Sequence, residues 1–442
     1  MSSSLDKNIS TGFLLKFAIP TVITMVFMSI YTMVDGIFVS RLIGTDALSA
    51  VNIVMPIILT SYAIATMVGT GGNAIVAKKL GEKKHDEARK NFSSLTLVTI
   101  ILSCIITIIS FVFIHPLLTF LGADESIYKY AYDYTVYSLI FLPFTMFSAI
   151  FQSFFVTEGK ANLSLVFTVV GGILNMIFDY VFIKVLGIGI AGAAIATGIG
   201  YTVPGLLGLL YFIFYRKGSL YLVKPNIDLK LIKDTCINGS SEMVSNLSAS
   251  IITLLMNNIL MSLAGPDGVA SITVILNVQM LLIAIFMGYS MGTSPLISFN
   301  YGKQDHERLH KIYKKSLIII SVISISVFIF GIAKTDFLIS IFTGKGTEVF
   351  NMAAYGFKLF APSFIFVGIN IFSSALFTAF SNGRVSALIS FLRTLLFVVI
   401  FLLVLPKFFG VNGVWIAVPL AEIFGFLVSI YYLKKYKVTY GY

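Results

Sequence analysis

The sequence predicts an all-α polytopic membrane protein in which twelve transmembrane helices form two six-helix repeats. Three observations carry this expectation: an apolar composition, a recurring run length, and a segment pattern that returns at one fixed spacing. The 442 residues are 57% hydrophobic and only 12% charged, with a mean hydropathy of +0.94. A water-soluble chain of this length needs far more polar surface, so lipid is the solvent for most of it. A membrane-crossing helix needs about 20 apolar residues, and runs of that kind recur from Phe13 to Tyr432.

The first run, 13–40, is too long for the apolar core of a signal peptide and contains Pro20 and Asp35, so it is expected to remain as a span rather than be cleaved. The remaining spans of the first half are expected at 47–77, 92–114, 131–157, 162–184 and 190–214. Those of the second are expected at 237–264, 269–298, 314–333, 352–380, 385–406 and 411–433. With these spans, 23 of the 31 Lys and Arg fall on one membrane face and 7 on the other, while Arg393 lies inside a span. Such a bias places both termini in the cytoplasm of a multi-pass cell-membrane protein. The formal net charge of +11 then reflects loops facing anionic lipid, and no nucleic-acid partner is expected. Cys104 and Cys236 suggest no disulfide framework.

The repetition is explicit. GTGGNAIVAKKLGEKKHDEARK at 69–90 is answered by YSMGTSPLISFNYGKQDHERLHK at 289–311, with Gly71 on Gly292, Gly81 on Gly302 and His85 on His306, each 221 residues on. At the same spacing, Gly189, Gly192 and Ala196 of GIGIAGAAIA fall on Gly410, Gly413 and Ala417 of FFGVNGVWIA. The expected domains are therefore an N-terminal six-helix lobe (1–214), a cytoplasmic linker (215–236) and a C-terminal six-helix lobe (237–442). An even number of spans per half makes the halves parallel repeats, an arrangement in which transporters bind cargo between the halves.

Ionisable groups inside lipid cost several kcal/mol and call for a reason. Four acids lie more than three residues inside an expected span: Asp35, Asp179, Glu242 and Glu422. By sequence distance, Asp35 is about 9 Å and Asp179 about 8 Å from the outer boundary, and Thr197 lies about 12 Å deep. Asn175 shares a helix face with Asp179, four residues away. Two carboxylates, an amide and a hydroxyl at a shared depth suit Na⁺, or a proton held by a buried, mutually repelling pair. The plainer reading makes Asn175 and Thr197 bridges between helices and leaves Asp179 in reach of water. Glu242 lies near the cytoplasmic end of its span, where it is either a solvated helix-starting acid or a secondary functional acid. Arg393 and Glu422 are placed to neutralise one another as a structural ion pair. Pro20 is a candidate hinge or a static kink on the helix that carries Asp35.

The 40 Phe, 21 Tyr and 15 Met include Met25, Met28 and Met33 near Asp35 and Met280, Met287 and Met291 in the eighth span. Such side chains make a soft wall for flat apolar cations. The four histidines, His85, His115, His306 and His310, lie in loops, and no HExxH, phosphate loop or nucleophile elbow occurs. An enzyme is not expected, nor a resident cofactor.

IPTVITMVFMSIYTMVDGIFVSRLIG at 19–44, GTGGNAIVAKKLGEKK at 69–84, NMIFDYVFI at 175–183, GIAGAAIAT at 189–197 and NGSSEMVSNLSASIITLLMNN at 238–258 together resemble the multidrug and toxic compound extrusion (MATE) transporters. The likeness covers nearly the whole chain and points to the branch with DinF-like and MepA-like proteins. It implies a V-shaped two-lobe fold and export of amphipathic, often cationic drugs in exchange for H⁺ or Na⁺; a monomer is expected. The family's cation site falls here on Asp35, Asn175, Asp179 and Thr197. Another branch depends on an acid in the tenth span, and 352–380 holds none. The resemblance leaves one neighbour, a lipid-linked precursor flippase of the same superfamily. Such a flippase should line its cavity with several Arg or Lys, yet only Arg393 is embedded. A channel or membrane scaffold is the alternative from another class, and buried acids confined to one half suit a coupled carrier better.

Overall fold

The computed structural model describes Leu5 and residues 8–442. Its long elements are helices α1 (Thr11–Leu42), α2 (Thr45–Gly81), α3 (His85–Val112), α5 (Tyr128–Thr157), α6 (Ala161–Asp179), α7 (Ile190–Phe214), α8 (Leu229–Gly302), α9 (His306–Ala333), α11 (Glu348–Phe360), α12 (Ser363–Ala379), α13 (Gly383–Phe391), α14 (Phe397–Phe409) and α15 (Val411–Tyr440). Two short helices, α4 (Ile114–Phe120) and α10 (Thr335–Ser340), follow the third and ninth spans. Apolar side chains around the whole circumference, as in α7 and α14, are what a helix surrounded by lipid or other helices requires.

Among the described residues the count of spans comes to twelve once two irregularities are resolved. The 74 residues of α8 would reach about 110 Å as one helix, far beyond a bilayer of about 30 Å. Its run of helical dihedrals is broken at Gly265, with φ 64° and ψ −155°, so α8 is two spans joined without a loop. Conversely, α11 and α12 meet at a bend of 57° and form one broken span. The span expected over 352–380 is bent at Pro362, which has no backbone N–H to donate to the preceding turn, although Ala361 and Pro362 themselves keep helical dihedrals.

The repeat seen in the sequence extends to backbone dihedrals. Gly44 and Gly265 both take positive φ, as do Gly189 and Gly410 ahead of α7 and α15. Lys83 (φ 62°) and Gln304 (φ 60°) are left-handed non-glycine residues at matched places in the two basic loops. The bonds Lys84 N–H to Lys79 O (3.0 Å) and Asp305 N–H to Asn300 O (3.1 Å) close the same turn in each half.

Two compact units emerge, and the chain does not divide between them at one point. The first holds 23–239, and the second holds 8–22 together with 240–442. The opening turns of α1 thus pack with the second unit, and the opening turns of α8 pack with the first. Matched glycines make both attachments. A Cβ on Gly71 would overlap the Thr235 carbonyl oxygen and lie 2.7 Å from Gly239 N, whereas one on Gly292 would lie 3.1 Å from Ala18 Cα. Asn238 Nδ2 adds a hydrogen bond to the Gly71 carbonyl oxygen at 3.2 Å. Gly71→Ala should therefore destabilise the protein by about 1–3 kcal/mol, as overpacking against rigid backbone does. Gly36→Ala, where a Cβ meets nothing within 4 Å, is the control. Equal thermal unfolding midpoints for the two variants would refute the close approach.

The second unit is centred on Phe286, Phe357, Phe360, Phe364 and Trp415, all buried. The first has an apolar cluster around Val39, Val54, Tyr134, Ile183 and Ile190. A separate aromatic group joins Phe92 to Phe154 and Phe212, with centroids 4.7 and 4.8 Å apart.

Candidate cation site in the first unit

Small residues bring α6, α7 and the later part of α1 close enough for their polar groups to meet. A Cβ on Gly171 would overlap the Gly200 carbonyl oxygen, and one on Gly200 would lie 2.9 Å from Asn175 Cβ. A Cβ on Gly172 would meet Phe27 Cζ at 3.0 Å and Tyr31 Cδ1 at 3.2 Å. These absent side chains set the α6–α7 and α6–α1 spacings. One and two turns further along α6 stand Asn175 and Asp179, on one helix face.

Asn175 Nδ2 donates to Thr197 Oγ1 at 3.4 Å, and the Thr197 hydroxyl donates to Asp35 Oδ1 at 3.5 Å. The Asp179 carboxyl lies against that of Asp35. Asp179 is fully buried and Asn175 nearly so, whereas Asp35 and Thr197 are half-buried. Asp179 therefore does not reach water, and Asn175 and Thr197 do more than bridge two helices, because their chain of bonds ends on Asp35. Oδ1 and Oδ2 of Asp179 and Oδ1 of Asn175 are buried oxygens with no hydrogen-bond donor. Unmet acceptors of this kind cost several kcal/mol unless a proton or cation meets them. Carboxylate, amide and hydroxyl oxygens are hard ligands, suited to Na⁺ and unsuited to soft metals. Among the described residues, no three of His, Cys, Asp and Glu gather into a metal cluster.

Immediately after Asp179 the helix widens into a π-turn over Tyr180–Val185. Single π-turns inside α-helices often accompany functional groups, and here the turn begins where the buried acid is presented. Sequence reasoning did not single out Tyr31, Tyr134 and Tyr201, whose hydroxyls lie in the field of Asp35. Tyr31 and Tyr201 meet edge-to-face at 6.4 Å. The available signal was spacing, since Tyr31 precedes Asp35 by one turn and Tyr201 follows Thr197 by one turn. Of the methionines, Met28 receives Gln152 Nε2 at its sulfur at 3.4 Å.

Pro20 is buried in an uninterrupted α1, just before the helix passes from the second unit to the first. Glu242, Arg393 and Glu422 belong to the second unit, apart from the oxygen cluster. Arg393 Nη1 lies 2.9 Å from Glu422 Oε1. Asn370 Nδ2 donates to Glu422 Oε2 at 2.7 Å, and Ser429 donates to Asn370 Oδ1 at 3.0 Å. Arg393 sits in the other π-turn, Leu392–Leu396. Glu242 is half-buried and lies within the electrostatic reach of Arg393. In the 221-residue register, which the caps Gly189 and Gly410 also keep, Glu422 is the counterpart of Tyr201. The second unit thus carries a closed internal ion pair one turn from where the first carries open oxygens.

Twelve spans in two repeats, with unmet acid oxygens inside one of them, define a polytopic membrane transporter. The MatE family model matches residues 20–181 and again 243–404, and the chain belongs to that family. It is 23% identical over 416 residues to the multidrug export protein MepA of Staphylococcus haemolyticus, covering 92% of this chain and 90% of the relative. Against MepA of Staphylococcus aureus it is 22% identical, covering 96% and 94%. Among solved structures, a MATE protein in complex with MaL6 superposes with a TM-score of 0.92 at 24% identity over 99% of both chains. A MOP superfamily transporter from Pyrococcus furiosus gives 0.91, also at 24% over 99% of both chains.

Proposed function

We propose that this protein is a secondary active exporter that moves amphipathic, often cationic drugs out of the cell in exchange for H⁺ or Na⁺. The single observation that carries the coupling is the buried, unmet oxygen set of Asp179 and Asn175 beside Asp35 and Thr197. A cation entering there would satisfy three orphaned oxygens. Loss of that cation would leave charge in a dry site, so the site's occupancy is strongly tied to its geometry. Exchange then requires that cation and drug favour different states of the carrier. Bending of α1 near Pro20 is the proposed link, since Asp35 rides on the same helix. The drug cargo is supported by the names of the MepA relatives, which are multidrug export proteins. A lipid-linked flippase is disfavoured because Arg393, the embedded arginine, is committed to Glu422.

The test is transport by purified protein in vesicles with imposed pH or Na⁺ gradients and ethidium as cargo. An inward cation gradient should drive ethidium out several-fold faster than no gradient. Ethidium movement indifferent to both gradients would sink the coupling reading. In the same vesicles, cysteines at Lys83 and Gln304 should be labelled from one side, the side that corresponds to the cytoplasm.

A further inference from the structure

Residues 215–228, between α7 and α8, have no regular secondary structure, yet they are fastened along the end of the first unit. Both carboxylate oxygens of Glu158, in the α5–α6 turn, accept backbone amides of this segment: Ser219 N–H at 2.9 Å and Leu220 N–H at 2.7 Å. Arg89 Nε of α3 donates to the Ser219 carbonyl oxygen at 3.1 Å, and its guanidinium lies 4.3 Å from the Tyr221 ring centroid. Further along, Ser93 Oγ accepts Val223 N–H at 2.9 Å and Ser94 Oγ accepts Asn226 N–H at 3.0 Å. Leu222 N–H returns to the Phe212 carbonyl oxygen at 2.8 Å. Leu220 is the one fully buried side chain of the segment. Gly218 leaves room for the carboxylate, because a Cβ there would overlap Glu158 Oε1.

The matching turn of the second unit shows that this docking place belongs to the repeat. Glu158 N–H to Phe154 O and Lys160 N–H to Phe155 O are answered by Phe380 N–H to Leu376 O and Asn382 N–H to Phe377 O. There Phe380 stacks on Tyr440 and Tyr442 at 4.5 and 5.4 Å. The segment following the last span of the first half and the C-terminal end of α15 with Tyr442 in the second thus land on the same turn. They are held by stacked rings in the second unit and by a carboxylate in the first.

We propose that 215–228 is a clasp with Glu158 as its latch, which when docked ties the cytoplasmic ends of α3, α5 and α7 into one body for the transport cycle. A carboxylate on two amides is opposed by its own dehydration. Burial pushes Glu158 up, and the amides of Leu220 and Ser219, with Lys160 and Arg89, pull it back. Glu158 is a positioning residue and touches no cargo. The mechanical role rests on the exporter reading above, but the docking itself does not.

The test uses the full-length chain in lipid nanodiscs with Cys104 and Cys236 replaced by Ser and Leu220→Cys added as a reporter. A membrane-impermeant maleimide should label it slowly. Adding Glu158→Ala, or Gly218→Ala with the carboxylate intact, should speed labelling about tenfold or more, since each breaks hydrogen bonds to a charged group. In the chain with native Leu220, the amides of Ser219, Leu220, Val223 and Asn226 should be protected from deuterium exchange and lose that protection in Glu158→Ala. Labelling rates equal across all variants, or native amides exchanging as in an unstructured peptide, would overturn the clasp. Ethidium efflux should fall several-fold in Glu158→Ala and less in Glu158→Gln, which keeps one acceptor oxygen, with ethidium affinity unchanged. An opened clasp with undiminished efflux would overturn its role in the cycle.

Discussion

Asp35→Asn should uncouple ethidium efflux from the cation gradient, lowering gradient-driven transport by about 5–150-fold, the range that coupling free energies between two ligands span. Thr197 donates to the Asp35 carboxylate, and an asparagine oxygen still accepts that bond, so the helix contacts survive. What disappears is the charge that makes Asp179 and Asp35 a pair of competing acids. The variant should reach the membrane in normal amount and bind ethidium with affinity close to that of the parent. The measurement is ethidium efflux from vesicles under a fixed pH or Na⁺ gradient, normalised to folded protein. Parent-like gradient-driven efflux in Asp35→Asn would remove the coupling role from the site. Asp179→Asn makes the same case from the other side, since its two carboxyl oxygens have no donor to lose.

Removing Arg393 should damage folding rather than transport chemistry. Arg393→Met leaves Glu422 buried with only Asn370 as a polar partner, and breaking a buried ion pair from one side costs about 3–5 kcal/mol. Glu422→Leu alone strands the guanidinium in the same way. The double variant Arg393→Met with Glu422→Leu should recover most of the loss, because replacing both charges by apolar groups restores a satisfied interior. Reversing the two charges is a poorer rescue, since it would set a guanidinium against Asn370 Nδ2. Folded yield and thermal unfolding of the four proteins form a double-mutant cycle. Additive losses, with no recovery in the double variant, would show that the pair does not hold this part of the second unit together.

Much of the architecture was legible because lipid leaves few choices. Spans appear as apolar runs, and the repeat spacing that matches Gly71 to Gly292 also matches Gly44 to Gly265 and Lys83 to Gln304 in backbone dihedrals. Asp35, Asn175, Asp179 and Thr197 could be grouped because residue counts from charged boundaries give depth, and depth with helix face is nearly position. Other features leave no compositional trace. A π-turn is one surplus residue in an otherwise ordinary helix, so neither Tyr180–Val185 nor Leu392–Leu396 could be read. Asn370 and Ser429 are ordinary span residues until the fold sets them beside Glu422. The segment 215–228 reads as a polar connection, and its fastening depends on Ser93, Ser94 and Glu158, residues more than fifty positions upstream.

The distribution of the chain between the compact units has a further consequence. Residues 8–22 complete the second unit, whereas the first turns of α8 complete the first. A polypeptide carrying only one repeat could therefore close neither unit alone, and two copies would have to trade their leading segments, as in domain-swapped dimers. If an ancestor of this chain consisted of a single repeat, it was an obligate pair. Joining two copies end to end would make the trade intramolecular and would leave each repeat free to differ, as here, where one has open oxygens and the other a closed ion pair.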